Sequence, residues 1–411
     1  MDVSTATLID GILLEGAIRT VFQPIVRLDS GDVVGYEALT RGPAGPLERP
    51  DELFAAAGDA GRSGELDRAC VASAFGSART LPAGALLFVN VEPATLGSDL
   101  VAATAPIAAA GERTVVLEVT ERALMTDPTS LLGAVESARE HGWLIALDDV
   151  GVEPASLALL PLIAPDVIKL DMGLIRDRPD RDLGRTMAAV MAHAERAGTT
   201  VLAEGIETDA HLERAVSLGA TLGQGYRFGR PADTAEASTP ISPLDLAARP
   251  PRRRVQLSPF DAVVATGRRA RVARKQVLLQ ISHHLEEQAS ADPGTPLLLS
   301  AFQHARHFTP ATTVRYGHLA ERCAITAALG VDMPAEPVPG VRGGVILPGD
   351  PLADEWSVAV LGPHYAGALL GRDLGDDGDD PDRRFEYVVT HDRDLVELAT
   401  ASLLRRILPQ H

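Results

Sequence analysis

Short apolar runs alternate with longer amphipathic stretches through the first half of this chain, and few architectures accept that pattern. The runs are Thr20–Leu28, Val33–Leu39, Ala85–Val91, Thr114–Val119, Trp143–Leu147, Val167–Leu170, Thr200–Ala203 and Thr221–Phe228. Between most of them lie Ala-, Leu-, Arg- and Glu-rich stretches with a helical period, such as Glu65–Leu81, Leu131–His141, Asp182–Ala197 and Asp209–Leu218. Repeated strand–helix alternation predicts a parallel α/β architecture, and a count near eight favours a closed barrel over an open sheet. Asp29-Ser30-Gly31-Asp32 joins the first two runs as a hairpin-like turn, so the first strand is expected to be antiparallel. The predicted fold is α/β, a (β/α)8 barrel followed by a smaller α/β domain.

The boundaries follow from where the alternation stops. The barrel is assigned residues 1–235. Residues 236–258 hold Pro240, Pro243, Pro250, Pro251 and Arg252–Arg254 and read as a Pro/Arg-rich linker. Residues 259–411 read as the second domain, with strands at Pro296–Leu299, Gly344–Leu347, Ser357–Leu361 and Glu386–Thr390 and a closing helix at Leu395–Ile407. Between Asp373 and Asp382 stand six aspartates; the spacing fails as a calcium loop, because Gly375 takes a ligand position and Arg384 replaces the terminal glutamate. It reads as a solvated acidic loop.

Charge and cysteine content remove several classes of function. A formal net charge of -18 repels a nucleic-acid backbone, so no bulk DNA or RNA partner is expected. Cys70 and Cys323 are the only cysteines, too few for a disulfide framework or a thiolate zinc site. Met1–Gly16 has no basic region before its apolar stretch, and no run is long enough to span a bilayer. The expectation is a cytoplasmic protein without a membrane partner.

Polar residues recur where the strand patterns end. Glu37 closes the second run, Asn90 the third, Glu118 the fourth, and Asp148 and Asp149 the fifth. Lys169 and Asp171 lie at the end of the sixth, Glu204 and Glu207 follow the seventh, and Gln224 lies in the eighth. Such barrels place their sites at the C-terminal rim, so these groups converge although they are remote in sequence. Carboxylates crowded in one small space repel each other unless cations sit among them. An oxygen-rich set without clustered Cys or His suits Mg2+ or Mn2+. Adjacent aspartates let one carboxylate bridge two ions, an arrangement that clamps the attacking and leaving oxygens of a phosphoryl displacement. In outline this is a hydrolase site.

These residues resemble the EAL domain family over about residues 8–235. The likeness is carried by Glu37-Ala38-Leu39, Phe22-Gln23-Pro24-Ile25, Tyr36 to Arg41, Val89-Asn90, Leu117 to Glu121 and Leu147-Asp148-Asp149. It continues through Ile168 to Asp171, Ala203 to Thr208 and Gly223-Gln224-Gly225-Tyr226. The resemblance implies a phosphodiesterase that opens cyclic di-GMP to linear pGpG with two Mg2+ or Mn2+ ions. It implies that Glu37, Asn90, Glu118 and Asp148 hold one ion and that Asp148, Asp149 and Glu204 hold the other. Lys169 would contact the nucleophilic water, Glu204 also matches a proposed general base, and Glu37 counts among the catalytic positions. Gln23, Leu39, Arg41, Asp171 and Gln224 match substrate contacts, Glu121 matches a glutamate that steadies the loop after the paired aspartates, and family likeness favours a homodimer.

That loop is where the sequence departs. The family reads Asp-Asp-Phe-Gly-Thr-Gly-Tyr-Ser-Ser; here Asp148-Asp149 is followed by Val150-Gly151-Val152-Glu153-Pro154-Ala155-Ser156. Pro154 fixes its own φ and restricts Glu153, stiffening the segment. The alternative reading is therefore a weak or inactive cyclic di-GMP receptor that signals through the second domain. That domain resembles the DICT sensory domain through Ser282 to Glu286, Phe302 to Ala305, Arg315-Tyr316, Asp354-Glu355-Trp356 and Arg384-Phe385. The likeness implies a regulatory role, with an unknown ligand or protein as its signal. His283, His284, His304, His307 and His318 read as ordinary packed or surface histidines.

Overall fold

A computed structural model of the chain describes residues 3–92, 95, 113–177, 181–233, 241–244, 246, 257–347, 349–376 and 380–407. Eight strands close a barrel in sequence order: β1 (Arg19–Arg27), β2 (Val33–Arg41), β3 (Leu86–Asn90), β4 (Val115–Thr120), β5 (Leu144–Val150), β6 (Val167–Leu170), β7 (Thr200–Ala203) and β8 (Leu222–Gln224). β1 runs antiparallel to β2 and β8, and the other neighbours are parallel. The barrel and its reversed first strand are as the sequence pattern predicts. β2 runs on to Arg41, past the expected Leu39, because its ladder with β1 continues to Arg19↔Arg41. β8 stops at Gln224, short of the expected Phe228: Gly225 turns with φ 154, where a Cβ would lie 2.1 Å from the Ile206 carbonyl oxygen.

Strand periodicity layers the lumen. Ile25, Phe88, Val116, Ala146, Val167, Leu202 and Leu222 fill its lower part in one buried cluster. Each contributes about 1.5–3 kcal/mol by leaving water, less for the alanine. Most of the expected linker, including Pro240, Pro250, Pro251 and Arg252–Arg254, lies outside the described residues. The described part is not free chain. Ile241 bridges Val33, Arg27 donates to Ser242 Oγ and the Pro243 carbonyl, and Leu244 and Leu246 pack against the lower lumen.

The second sheet contains β9 (Arg271–Arg274), β10 (Leu297–His304), β11 (Ile325–Val331), β12 (Val341–Val345), β13 (Glu355–Leu361), β14 (Ala366–Asp373) and β15 (Arg384–Thr390), in the order β12-β11-β10-β13-β14-β15-β9. Helices Lys275–Ala291 and Pro310–Ala320 cover one face, and Pro259–Val264 and Arg393–Leu404 cover the other. Strands β9, β11 and β14 escape the sequence reading. β11 and β14 are rich in Ala and Gly, which carry little strand signal, and β9 is an exposed edge rich in arginine. The acidic loop is solvated at Asp380 and Asp382, as expected, and is also cross-braced. Asp373 pairs with Arg383, Asp376 with Arg384 at 2.9 Å, Asp380 with Lys275 at 2.6 Å and Asp382 with Arg274 at 2.6 Å. Asp377 and Asp379 lie outside the described residues.

The two units share a packed boundary. Helix Arg393–Leu404 packs on the short helix Leu160–Ile163 that follows the β5 loop. Thr129 Oγ1 donates to the Leu404 carbonyl at 2.9 Å, Arg405 pairs with Glu136, and Arg342 donates to the Met125 carbonyl at 2.5 Å. Among the described residues no helix is long and apolar enough to cross a membrane.

Candidate metal and active site

Two residues above each apolar lumen position, toward the C-terminal end of the same strand, stands a polar one. A strand returns to the same face every second residue. Phe88 is thus followed by Asn90, Val116 by Glu118, Ala146 by Asp148, Val167 by Lys169, Leu202 by Glu204 and Leu222 by Gln224. On the reversed β1, Gln23 precedes Ile25. Glu37 enters the same layer from β2, paired across the ladder with Gln23.

Lys169 is the centre of this layer and is fully buried. Its Nζ lies 2.7 Å from Glu118 Oε1, 2.8 Å from Glu204 Oε1, 3.0 Å from Asp148 Oδ1 and 3.6 Å from Glu37 Oε1. Burial pushes the Lys169 ammonium toward deprotonation, but the surrounding carboxylates outweigh it and hold the pKa well above the usual lysine value. Burial raises Glu118 well above the usual carboxylate range, with the charge of Glu37 adding to it. Burial lifts Glu204 to about 8 despite Lys169. Glu37 goes the other way: burial pushes up, but Lys169 and hydrogen bonds including those from Gln224 and Asn90 bring it below the usual value.

Amides fix the carboxylates. Asn90 Nδ2 donates to Glu37 Oε1 at 3.0 Å, which leaves the Asn90 carbonyl oxygen as an acceptor. Gln224 Nε2 donates to Glu37 Oε2 and to Gln23 Oε1, and Gln23 Nε2 donates to the Gly229 carbonyl.

Asp149 breaks the period of two. Its φ is 57°, and β5 carries one extra residue against β6 between Leu147 and Val150. A bulge with a left-handed residue re-aims a side chain, and a non-glycine residue there costs about 1–2 kcal/mol. Asp149 therefore joins its neighbour rather than pointing to the opposite face. One oxygen or more from each of Asp148, Asp149 and Glu204 lies within 4.8 Å of the others, and the same holds for Glu37, Glu118 and Asp148. Burial and the adjacent Asp148 charge raise the Asp149 carboxyl. Glu121 holds the loop beyond: its carboxylate accepts from Gly151 N at 3.2 Å, Glu153 N at 2.7 Å and Ser156 Oγ. Its burial lifts it to about 7.

These residues fit divalent cations. The donor set is all oxygen, and the buried Glu118 faces the Lys169 ammonium at 2.7 Å with Glu37 and Asp148 crowded beside it. A cavity of about 420 Å³ opens over the site, bordered by Gln23, Glu37, Leu39, Asp148, Glu204 and Gln224. Arg41 lines an adjoining cavity of about 230 Å³ that shares Leu39 and also touches Asn90. Asp171 lines neither cavity; its Oδ1 caps the helix Met172–Arg176 by accepting from Gly173 N at 2.7 Å.

Met172 and Arg176, which the sequence reading passed over, also border the larger cavity, as does Tyr226, which it quoted only as part of a motif. Arg176 donates to the Gly205 carbonyl and to Glu207 Oε1 at 2.8 Å, and Arg230 stacks 4.1 Å over the Tyr226 ring. Their positions just beyond β6 and β8 were the available signal.

Fold and site together define a β/α-barrel protein with clustered carboxylates suited to divalent cations, a central buried lysine and a cavity at its C-terminal rim. The chain belongs to the EAL domain family, whose model matches residues 8–231. Residues 257–374 match the DICT model, described as a sensory domain in diguanylate cyclases and two-component systems. Among curated relatives, the Cyclic di-GMP phosphodiesterase NbdA of Pseudomonas aeruginosa is 31% identical over 252 residues, covering 59% of this chain and 32% of NbdA. The Cyclic di-GMP phosphodiesterase RocR of the same organism is 28% identical over 240 residues, covering 56% of this chain and 60% of RocR. The chain spans 28% and 36% of the length of two further curated relatives, both uncharacterised, from Sinorhizobium fredii and Mycobacterium bovis. The fold matches the solved structure of EAL Enzyme Bd1971, bound to cAMP and cyclic-di-GMP, with a TM-score of 0.50 and 23% identity, covering 56% of this chain and 66% of that one.

Proposed function

We propose that the barrel is a metal-dependent phosphodiesterase that hydrolyses cyclic di-GMP to linear pGpG, and that the C-terminal domain regulates it. The observation that carries this reading is the buried Lys169 ringed by Glu37, Glu118, Asp148 and Glu204, beside two overlapping carboxylate groups that share Asp148. Mg2+ or Mn2+ held there supplies charge for the phosphate oxygens and acidifies a bound water. Glu37, Asn90, Glu118 and Asp148 are assigned to one ion, and Asp148, Asp149 and Glu204 to the other. Lys169 orients the attacking water and offsets the charge that builds on the phosphate. Glu204 borders the cavity, and its metal-free carboxyl, raised by burial to about 8, gives up its proton when an ion binds there. Gln23, Leu39 and Gln224 border the cavity a dinucleotide would occupy, with Arg41 placed to meet a phosphate in the adjoining one.

Regulation is supported by the packed boundary. Arg342 of the C-terminal domain bonds the last turn of Glu121–Thr126, the helix whose first residue holds Gly151, Glu153 and Ser156. The contact thus reaches the loop after Asp149 through one short helix. The receptor reading draws on the same loop, whose Val152-Glu153-Pro154 departs from the family pattern. Chromatographic assay of the full chain with cyclic di-GMP and Mg2+ or Mn2+ separates the two. Release of pGpG that stops in EDTA supports the enzyme; saturable binding without product leaves a receptor; neither result removes both readings.

A further inference from the structure

The C-terminal domain repeats, at a second place, the backbone device that builds the barrel's paired aspartates. β10 carries one extra residue against β11 between Ala301 and His304, and Gln303 within that bulge has φ 62°. Consecutive strand residues normally point to opposite faces, yet Phe302 and Gln303 line the same cavity. Strain of this kind persists only where the surroundings impose it, and bulges recur beside sites where a side chain is re-aimed. Gln303 is buried, and its amide donates to Asp373 Oδ2 at 3.3 Å.

The cavity measures about 340 Å³ and lies between the helices Lys275–Ala291 and Pro310–Ala320 and the sheet. Beside Leu279 and Ala311 its apolar lining is aromatic: Phe302, its cross-strand partner Trp356, and Phe385, which meets Trp356 edge-on at 5.9 Å. A volume of this order takes one small molecule, and such rings stack on flat ligands. The charged groups at the cavity are matched to one another. Glu286 pairs with Arg315 at 2.5 Å, Lys275 with Asp380 at 2.6 Å, and Asp373 behind Gln303 with Arg383. His307 spends Nδ1 on the Phe302 carbonyl at 2.9 Å, and burial holds it below the usual imidazole value, so its ring is neutral at pH 7 with Nε2 as acceptor. The lining charges, Lys275 and Arg315 against Glu286 and Asp380, cancel, so the cavity offers no net charge to draw an ion.

We propose that this cavity is the signal-binding site of the C-terminal domain and that it takes an uncharged, flat heteroaromatic molecule of two fused rings. The aromatic walls hold its faces, and the Gln303 amide, His283 and His307 meet donors and acceptors at its edge. The site stands independently of the phosphodiesterase reading, since its test reads binding. Full-length protein labelled with 5-fluorotryptophan gives two fluorine resonances, from Trp143 in the barrel and Trp356 in the cavity, assigned by Trp356→Phe. Hypoxanthine and lumazine serve as uncharged probes and inosine 5′-monophosphate as the anionic counterpart. Either uncharged probe is expected to shift the Trp356 signal saturably with Trp143 unmoved, at least about tenfold more tightly than the nucleotide. Gln303→Gly, which accepts the positive φ and so folds, is expected to weaken that binding about tenfold. Absence of a saturable shift with either probe, equal or tighter binding of the nucleotide, or unchanged affinity in Gln303→Gly each overturns the proposal.

Discussion

Replacing Lys169 by methionine removes the only cation among four carboxylates while keeping the side-chain length. At an effective dielectric of about 20, each contact of 2.7–3.6 Å contributes about 5–6 kcal/mol of attraction. Most of that is offset by stripping water from the ammonium and by repulsion among the acids. The expected net loss on removing one partner of a buried charge group is therefore about 3–5 kcal/mol. Protonation caps the loss, because Glu118 and Glu204, already raised, take up protons once the ammonium has gone. Urea unfolding in EDTA at about pH 8 should show this deficit, and a smaller one at about pH 5.5, where Glu118 and Glu204 hold their protons more fully. Saturating Mn2+ should then stabilise Lys169→Met more than the parent, since the ion relieves the same repulsion; about 100-fold excess over the dissociation constant adds about 2.7 kcal/mol. Equal stability of variant and parent in EDTA, or equal gain from Mn2+, would show that the carboxylates do not depend on a shared cation.

Glu37→Ala should lower cyclic di-GMP turnover by at least about 1,000-fold with little change in fold, read by product chromatography and circular dichroism, because it removes both the Asn90 and Gln224 anchor and a charged ligand. Glu121→Gln should weaken Mn2+ binding about tenfold by calorimetry, since a neutral amide holds the Gly151–Ser156 backbone less firmly; unchanged affinity would detach the loop from the ion site. Glu204 and Glu121 are raised to about 8 and about 7, so each binds its proton more tightly in the folded chain. Their stabilising contribution is complete below the ordinary value of 4.5 and is lost as pH rises toward 7–8, so the metal-free protein should weaken across that window and rising stability would contradict the assignment. Arg342→Ala should change turnover at subsaturating Mn2+ while leaving it nearly unaltered at saturation, because the contact acts through the loop.

Much of this was legible in the sequence because a strand's period of two is visible in the letters: Val167-Ile168-Lys169 places the lysine above the valine before any coordinates exist. The turn Asp29–Asp32 likewise announced the reversed β1. Asp149 was legible as a residue but not as a geometry, since its left-handed φ arises from the strand around it. Asp171 was legible as a strand-end acid but not as a helix cap: its Oδ1 accepts from Gly173 N, a local role that position alone does not announce. Of the braced aspartates between Asp373 and Asp382, Asp380 and Asp382 were opaque because their partners, Lys275 and Arg274, lie about a hundred residues away. Long-range pairing of that sort leaves no local period to read.

Anomalous diffraction at the manganese edge, from crystals of the full chain grown with Mn2+, addresses the core of this account. Two peaks are predicted at the rim, one among Glu37, Asn90, Glu118 and Asp148 and one among Asp148, Asp149 and Glu204. Density elsewhere on the molecule, with the ring around Lys169 empty of metal at saturating Mn2+, would contradict it.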